Sequence, residues 1–237
     1  MKKLLIFGLA LLTVAPAYGQ RRYERRGPRT DGFYFMLGAT SGPKFSDFVN
    51  YMNQTYGDPG KIKEFGSNVA VSIGYLNRIK RNFAIDVGFS VYSLNSKGSV
   101  VNTNSALPES RISHELDYQC AIFTGTFPII FEFQPKQPIV PYVGVGISIF
   151  AMRLDDYRDY TLNNVVNHEA QRDTRTTVGG HFEVGACYKI TPRIWIDLRG
   201  RWHGGNGHIA TLEKDLQDFS IKQNVSQYSI GVDYFFH

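Results

Sequence analysis

The chain has 237 residues, 14% of them aromatic, and a formal net charge of +5. This length fits one domain, and the aromatic content exceeds that of ordinary soluble proteins. The excess positive charge belongs to Lys2, Lys3 and an arginine-rich segment ending at Asp31, so the neutral remainder offers no face for nucleic acid. Two cysteines, Cys120 and Cys187, are too few for a disulfide scaffold, and we expect them on different strand faces.

The first predicted element is a secretory signal peptide over residues 1–19. Two lysines precede an apolar run over residues 4–14, and small residues before Gln20 suit cleavage at that point. No later apolar run reaches the roughly 18 residues of a membrane-spanning helix. Residues 20–31 then form a predicted arginine-rich periplasmic arm, whose charge suits anionic lipid or cell-wall polymer.

Alternating polar and apolar residues recur from residue 32 to the end of the chain, which predicts eight β-strands. We expect these strands at about 33–39, 68–75, 83–91, 114–134, 142–149, 178–189, 194–201 and 227–236. Their connections alternate between long and short, and the short ones are NRIKRN, PKQPIVP and ITPR. Up-and-down barrels of outer membranes have this rhythm, with tight periplasmic turns and long external loops. The sequence therefore predicts an all-β, eight-stranded antiparallel transmembrane β-barrel over residues 32–237.

The fourth strand and the long connections carry further predictions. The apolar parity of the fourth strand changes near residues 120–123, and Pro128 cannot donate to a β-ladder, so we expect a β-bulge. Two connections contain apolar residues at helical spacing. The first has Phe45, Phe48, Met52 and Tyr56, with Ser46 as the N-cap, and the second has Leu212, Leu216 and Phe219. Such short helices either fold onto the barrel mouth or present a partner-binding face.

The polar parity, meaning the set of alternate strand positions that carries the polar residues, decides which strand face meets lipid. The alternative is a lipocalin-like soluble barrel, which would bury the apolar face. That parity carries Gly38, Gly74, Gly88, Gly144, Gly146, Gly185 and Gly231. Small residues make room for large ones inside a narrow barrel, and closure satisfies every backbone group in lipid. Aromatic residues at the short-turn ends of the strands predict an interfacial girdle of Phe33, Tyr75, Phe83, Phe133, Tyr142, Tyr188 and Phe236.

The end of the chain resembles the assembly signal of bacterial outer-membrane barrels. Ser229 and Gly231 are followed by two spaced aromatics, Tyr234 and Phe236, with His237 beyond them. The hairpin FPIIFEFQPKQPIVPYVGVGIS is also similar to the outer-membrane β-barrel domain family, which groups OmpA-, OmpX- and OmpW-like barrels with PorT-type porin-like proteins. The resemblance implies a place in the cell outer membrane, surrounded by lipid, and insertion by the barrel-assembly machinery. It specifies architecture rather than activity.

Charged residues on the polar parity predict the contents of the lumen. They are Asp86, Glu132, His181, Glu183, Lys189, Asp197, Arg199, Arg201 and Asp233. Unpaired charges in a narrow lumen are costly, so we expect ion pairs, above all between Glu183 and Arg199 or Arg201. One interpretation is a monomeric scaffold with a packed lumen that displays its loops to an extracellular or periplasmic protein partner. The alternative is a narrow solute channel or a PorT-like component of a secretion system.

Chemistry beyond these roles has weak support in the sequence. The His-x-Ser arrangement of lipid-deacylating barrels is missing from the sequence, and Ser113 and His114 are neighbours on opposite strand faces. Asp155, Asp156 and Asp159, and likewise His203 and His208, are expected in external loops with spacings that match no metal cage. We therefore predict no enzymatic activity, no bound cofactor and no metal.

Overall fold

The computed structural model describes residues 30–55, 65–101, 111–134, 137–162, 165–210 and 219–236. The predicted signal peptide and nearly all of the predicted N-terminal arm lie outside these residues. So do Tyr56, the side chain of Met52 and all of the second predicted helix, over 211–219, except Phe219, which lies in a strand. Among the described helices, none is long and apolar enough to cross a membrane.

Nine strands and one helix make up this part of the chain. In chain order they are β1 (Thr30–Ser41), α1 (Ser46–Thr55), β2 (Ser67–Lys80), β3 (Phe83–Val101), β4 (Arg111–Ile130), β5 (Ile139–Leu162), β6 (Val165–Lys189), β7 (Ile194–Ile209), β8 (Phe219–Lys222) and β9 (Val225–Phe236). All strand pairs are antiparallel. Because β1 pairs with β9, β9 with β7 and β7 with β6, eight strands close into a ring.

The predicted fold class is confirmed, with two differences at its edges. The barrel strand β1 begins at Thr30, inside the segment predicted as an arm. The four-residue β8 was not predicted; it lies outside the ring and pairs only with β7 and, through one bridge, with Lys44. Both chain ends of the barrel, at Thr30 and Phe236, lie at the same end, which we call the terminus end.

The outer surface of the ring is an apolar band. Phe35 is 51% exposed, Val145 60% and Val178 62%. The outer-face neighbours of Phe35 and Val145, along their own strands and on the paired strands, are apolar as well. The band covers about ten residues of each strand, or roughly 30 Å, which matches the hydrocarbon core of a bilayer. Above it the outward residues become polar at one level: Ser93, Gln119 and Arg153 are register partners on β3, β4 and β5.

Four strands continue past the apolar band, and we call residues 93–101, 111–120, 152–162 and 165–177 the projection. β5 and β6 extend about 35 Å beyond the band, paired throughout. The prediction of a long loop between β5 and β6 is therefore wrong. Asp155, Asp156 and Asp159, which were expected in that loop, lie in β5. A strand outside the membrane needs no apolar outer face. The polar sequence of this part of β5 and β6 therefore resembles that of a loop, although it forms strands.

The predicted β-bulge in β4 is also wrong. β4 keeps one register with β3 and with β5 along its whole length, through 120–123 and up to Pro128, which lies opposite Gly144. Its even-numbered residues from 114 to 130 face inward. The parity only seemed to change in the sequence because the inward residues of the upper half are themselves apolar. The register shift in this region lies at the β2–β3 turn, between Arg78 and Lys80.

Helix α1 and β8 cover the mouth of the barrel at the end away from the terminus end. They lie across this mouth from the projection. The predicted helix is confirmed, with Phe45 and Phe48 fully buried and their rings stacked at 5.0 Å. Lys44 and Lys222 exchange backbone hydrogen bonds, which ties the start of α1 to β8. The helix therefore folds onto the barrel mouth rather than standing free in solvent.

Candidate functional site: a layered lumen

The middle of the lumen holds a central ion network of Asp86, Glu183, Asp197, Arg199 and Arg201, all buried. Arg201 donates from Nε and Nη2 to Oε2 of Glu183 at 2.9 and 2.6 Å. Arg199 donates from Nη1 to Asp86 and from Nη2 to Asp197, both at 2.8 Å. Arg201 also lies 3.6 Å from the same oxygen of Asp86. Two guanidinium groups thus hold together carboxylates from three strands.

Strand register places these partners. The turn between β6 and β7 sets Glu183 directly opposite Arg201, and Arg199 opposite Gly185. Opposed residues of neighbouring antiparallel strands have Cβ atoms about 5 Å apart, close enough for a forked arginine–carboxylate contact. Asp86 reaches the network from β3, across the lumen, because an eight-stranded barrel is narrow enough for facing side chains to meet.

Two tyrosines lie over the glycines of the lumen wall. A Cβ atom built on Gly74 would lie 2.2 Å from Cζ of Tyr34, and one on Gly185 would lie 2.3 Å from Cζ of Tyr142. The hydroxyl of Tyr34 donates to Asp86 at 2.9 Å, and that of Tyr142 donates to Asp197 at 2.9 Å. The missing side chains therefore create the slots from which these rings reach the carboxylates.

Beneath the central network, at the terminus end, a second ion cluster consists of Glu132, Arg78 and Lys189. Nη2 of Arg78 donates to Oε2 of Glu132 at 2.6 Å, and Nζ of Lys189 donates to its other oxygen. Both cations also lie over the ring of Trp195, at 5.5 and 5.0 Å from its centroid. Burial raises the pKa of Glu132, but the hydrogen bonds from Lys189 and Arg78 outweigh it and hold this pKa below its usual 4.5.

This lowered pKa predicts a component of acid sensitivity. A carboxylate whose folded-state pKa is depressed stabilises the fold above its unfolded pKa, and that contribution is lost as pH falls through the folded value. Glu132→Gln should cost on the order of 1–3 kcal/mol at neutral pH, and the difference from wild type should shrink as the pH falls below about 4.5 and vanish only below the folded pKa, which is lower still. Urea unfolding in detergent across pH measures both quantities.

The matched control for this experiment is Glu115→Gln. Glu115 pairs with Lys97 on the outer face of the projection, where both side chains are largely exposed. Exposed ion pairs contribute about 0–1 kcal/mol, so this variant should unfold close to wild type at every pH. An equal loss in both variants would show that the Glu132 cluster contributes no more than a surface pair.

A layer of histidines lies above the central network. The hydroxyl of Ser148 lies 2.9 Å from Nδ1 of His181 and 2.9 Å from Nδ1 of His203, and Nε2 of His181 lies 2.9 Å from Thr126. His203 was predicted in an external loop and lies instead in β7, facing the lumen. Because all four side chains are buried, this layer fills the lumen and offers no open face to a substrate.

The upper lumen is apolar. Tyr118, Ile122, Phe150 and Met152 are each at most 1% exposed, and they pack in one cluster with Phe48 of α1. The predicted lumen charges therefore lie in its lower half, while a buried pair that was not predicted, His114 and Asp156 at 3.1 Å, lies at the upper edge of the apolar cluster, on the inner face of the projection. Cys120 belongs to this upper cluster and Cys187 to a second one near Trp195; both are free and face inward, so opposite faces were wrongly predicted.

The sequence analysis placed most lumen residues but misassigned Tyr142 and missed two others. Tyr142 was expected in the lipid-facing girdle and is 5% exposed inside the lumen, hydrogen-bonded to Asp197. Tyr34 and Arg78 were not singled out at all. Their strand parity was sufficient to find them, since Tyr34 and Arg78 share the inward faces of β1 and β2 with Met36 and Gly74.

The C-terminal residues lie in β9, where the ring closes. Tyr234 and Phe236 face outward, and Phe236 packs edge-to-face on Phe33 of β1 with centroids 5.4 Å apart. Gly231 and Ser229 belong to the inward parity, and a Cβ atom on Gly231 would lie 2.3 Å from the backbone oxygen of Phe35. The aromatic pair thus meets lipid while the small residue allows the close approach of β1.

A closed ring of eight strands with an apolar exterior and a lumen filled by ion pairs defines an integral protein of the outer membrane. The chain belongs to the outer membrane protein beta-barrel domain family, whose sequence model matches residues 7–236. No curated protein matches the sequence.

The solved structures to which the chain is similar include outer-membrane proteins of bacteria. OprG from Pseudomonas aeruginosa is 12% identical, with 88% of this chain and 95% of that chain covered and a TM-score of 0.49. Neisserial surface protein A is 16% identical, with 86% and 97% covered and a TM-score of 0.44. The N-terminal barrel of P. aeruginosa OprF is 13% identical, with 87% and 99% covered and a TM-score of 0.39.

Proposed function

We propose that this protein is a non-conducting outer-membrane scaffold that displays the projection outside the cell to a protein partner. The observation that carries the proposal is the sequence of layers across the lumen. From the terminus end these are the Glu132 cluster, the central ion network, the histidine layer and the apolar cluster under α1. Each layer is paired or packed within itself, which supports a plug rather than a path for ions.

The projection supports the binding part of the proposal. β6 pairs with β7 over Gly179–Lys189 only, so within the described residues its stretch from 165 to 178 has a strand neighbour on one side. A strand edge of this kind offers backbone donors and acceptors to an added strand of a partner. The outer face is held in place by Asp155, which accepts from Arg153 and Arg172 at 2.6 Å each.

Orientation and assembly follow from the same proposal. The terminus end, with its short turns, lies in the periplasm, and the projection lies outside. Ser229, Gly231, Tyr234 and Phe236 serve as the signal read by the barrel-assembly machinery, and the arginine-rich arm contacts periplasmic anions. The barrel works as a monomer, because the ring satisfies the backbone of its own strands in lipid without a second copy.

Planar-bilayer recording of the purified protein tests whether the lumen is closed. Wild type should show no steady conductance. Since four layers close the lumen in series, Phe48→Ala and Arg201→Ala should each leave it largely closed, whereas the double variant, which loosens two of these layers, should conduct more than either alone. Heat-modifiable gel migration confirms that each variant is folded before recording. Stable, ion-selective conductance of wild type would favour the channel alternative.

A further inference from the structure

Three potential metal ligands converge at the terminus end of the lumen. Cys187 of β6 lies directly opposite Asp197 of β7, and Asp233 of β9 lies opposite Trp195, one inward position away. The sulfur of Cys187 and one carboxylate oxygen from each aspartate all lie within 4.8 Å of one another. The three residues are at most 7% exposed. They come from three neighbouring strands, which is why no spacing in the sequence indicated them.

Asp233 is the carboxylate of this group that lacks a cation. Oδ2 of Asp233 lies 3.7 Å from Sγ of Cys187, and its Oδ1 is buried with no hydrogen-bond partner among the described residues. No ion pair joins Asp233 to any side chain in the described part of the chain, although Asp86, Glu183, Asp197 and Glu132 all have one. A buried carboxylate of this kind is costly unless something else neutralises it.

The charges of the lower lumen point to a divalent ion. Within the described residues, five carboxylates face four cations: Asp86, Glu132, Glu183, Asp197 and Asp233 against Arg78, Lys189, Arg199 and Arg201. Metal binding deprotonates a cysteine, which would add a sixth negative charge. One divalent ion then brings the sum to zero. A single proton on Asp233 would balance the carboxylates as well, but it would leave Cys187 without a role.

The space beside these residues fits an ion with a water ligand. A cavity of about 20 Å³ is lined by Cys187, Asp197 and Asp233 together with Leu76, Trp195 and two cations, Arg199 and Arg78, which pair with Asp197 and Glu132. That volume suffices for about one water molecule, so the water ligand would occupy the cavity and the ion would lie between the three ligand atoms. The β6–β7 turn lies a few residues below, so the ion would enter from the terminus end.

We propose that Cys187, Asp197 and Asp233 bind one transition-metal ion, with Zn²⁺ the best match, and that the ion fastens β6, β7 and β9 together. The thiolate selects Zn²⁺ over Mg²⁺ or Ca²⁺, which prefer oxygen ligands alone. Three protein ligands and a water complete the four-coordinate geometry that Zn²⁺ adopts.

Cobalt substitution tests this proposal on the folded full chain in detergent. After chelator treatment, wild type should take up about one Co²⁺ per chain and show thiolate-to-cobalt charge-transfer absorption, which Zn²⁺ then abolishes by displacing the cobalt. Cys187→Ser should lose the absorption, and Asp233→Asn should weaken binding at least about tenfold. The control is Cys120→Ser, which removes the thiol of the apolar cluster and should bind like wild type.

Alkylation provides a second measurement that needs no ligand variant. In the Cys120→Ser background, Zn²⁺ should slow alkylation of Cys187 and raise the urea midpoint of the barrel relative to chelator. Wild type that takes up no cobalt, or binds it without thiolate absorption, overturns the proposal and leaves Asp233 as a protonated acid. Absorption that survives Cys187→Ser and disappears in Cys120→Ser overturns it as well.

Discussion

Replacing Glu183 by Ala should destabilise the barrel by on the order of 3–5 kcal/mol. Glu183 is fully buried, and one of its oxygens accepts both hydrogen bonds from the fork of Arg201. Without it, Arg201 keeps a long hydrogen bond from Nη1 to Thr124 at 3.4 Å and a 3.6 Å contact with Asp86, which Arg199 already engages at 2.8 Å. A guanidinium group with unpaired donors, held away from water, accounts for the expected loss.

Urea unfolding of the refolded protein, followed by heat-modifiable gel migration, measures this effect. The double variant Glu183→Ala/Arg201→Ala should recover part of the loss, because it removes the stranded charge together with its partner. Glu115→Ala is the matched surface control and should cost less than about 1 kcal/mol. If Glu183→Ala and Glu115→Ala unfold alike, the central network does not hold the barrel together.

Strand parity accounts for most of what the sequence predicted correctly. Inside the membrane band, the outer face must be apolar, whereas the inner face need not be. Alternation therefore separates lipid-facing Val145 from lumen-facing Gly144 without further information. The short β6–β7 turn then fixes register, which brought Glu183 to Arg201. Both signals are local, and a single sequence contains them.

Parity fails where the bilayer ends. Above the band, residues such as Arg153 and Asp155 face outward on β5, while Leu154 faces inward against the apolar cluster. The rule that apolar means outward is reversed there, which explains both the loop predicted within β5 and β6 and the bulge predicted in β4. Nothing in the local pattern of these strands says where the membrane stops.

Contacts across the lumen could not be predicted from the sequence either. Asp86 meets Arg199 although 113 residues separate them, and Cys187 meets Asp233 across two strand pairings. Which inward residues touch depends on the shear of the barrel, and on which glycines leave slots for large neighbours. Strand parity was enough to place Tyr34 in the lumen, but its role depends on such contacts, because the ring lies over Gly74 and Gly88.

Replacing Gly74 by Ala should therefore be nearly as damaging as the loss of Glu183. Gly74 and Gly88 are register partners on β2 and β3, and the ring of Tyr34 lies across both. A methyl group at Gly74 would come within 2.2 Å of the ring. Tyr34 cannot simply shift, because its hydroxyl donates to Asp86 and the guanidinium of Arg199 lies 4.6 Å from its centroid.

The expected cost is on the order of 2–5 kcal/mol, since overpacking adds to the loss of a hydrogen bond to a buried carboxylate. Gly125→Ala is the matched control, because Gly125 lies in the β4 wall with no atom within 4 Å of a built Cβ. It should be neutral or slightly stabilising, as alanine generally is against glycine in a strand. Both variants are compared with wild type by their urea midpoints.

A double-mutant cycle separates the clash from any general effect of alanine in β2. In a Tyr34→Ala background the slot over Gly74 is empty, so Gly74→Ala should lose its cost and follow the mild behaviour of Gly125→Ala. The coupling between the two sites should then equal most of the single-variant loss. If Gly74→Ala is as harmful without Tyr34 as with it, the glycine serves the strand backbone and does not position the tyrosine for Asp86.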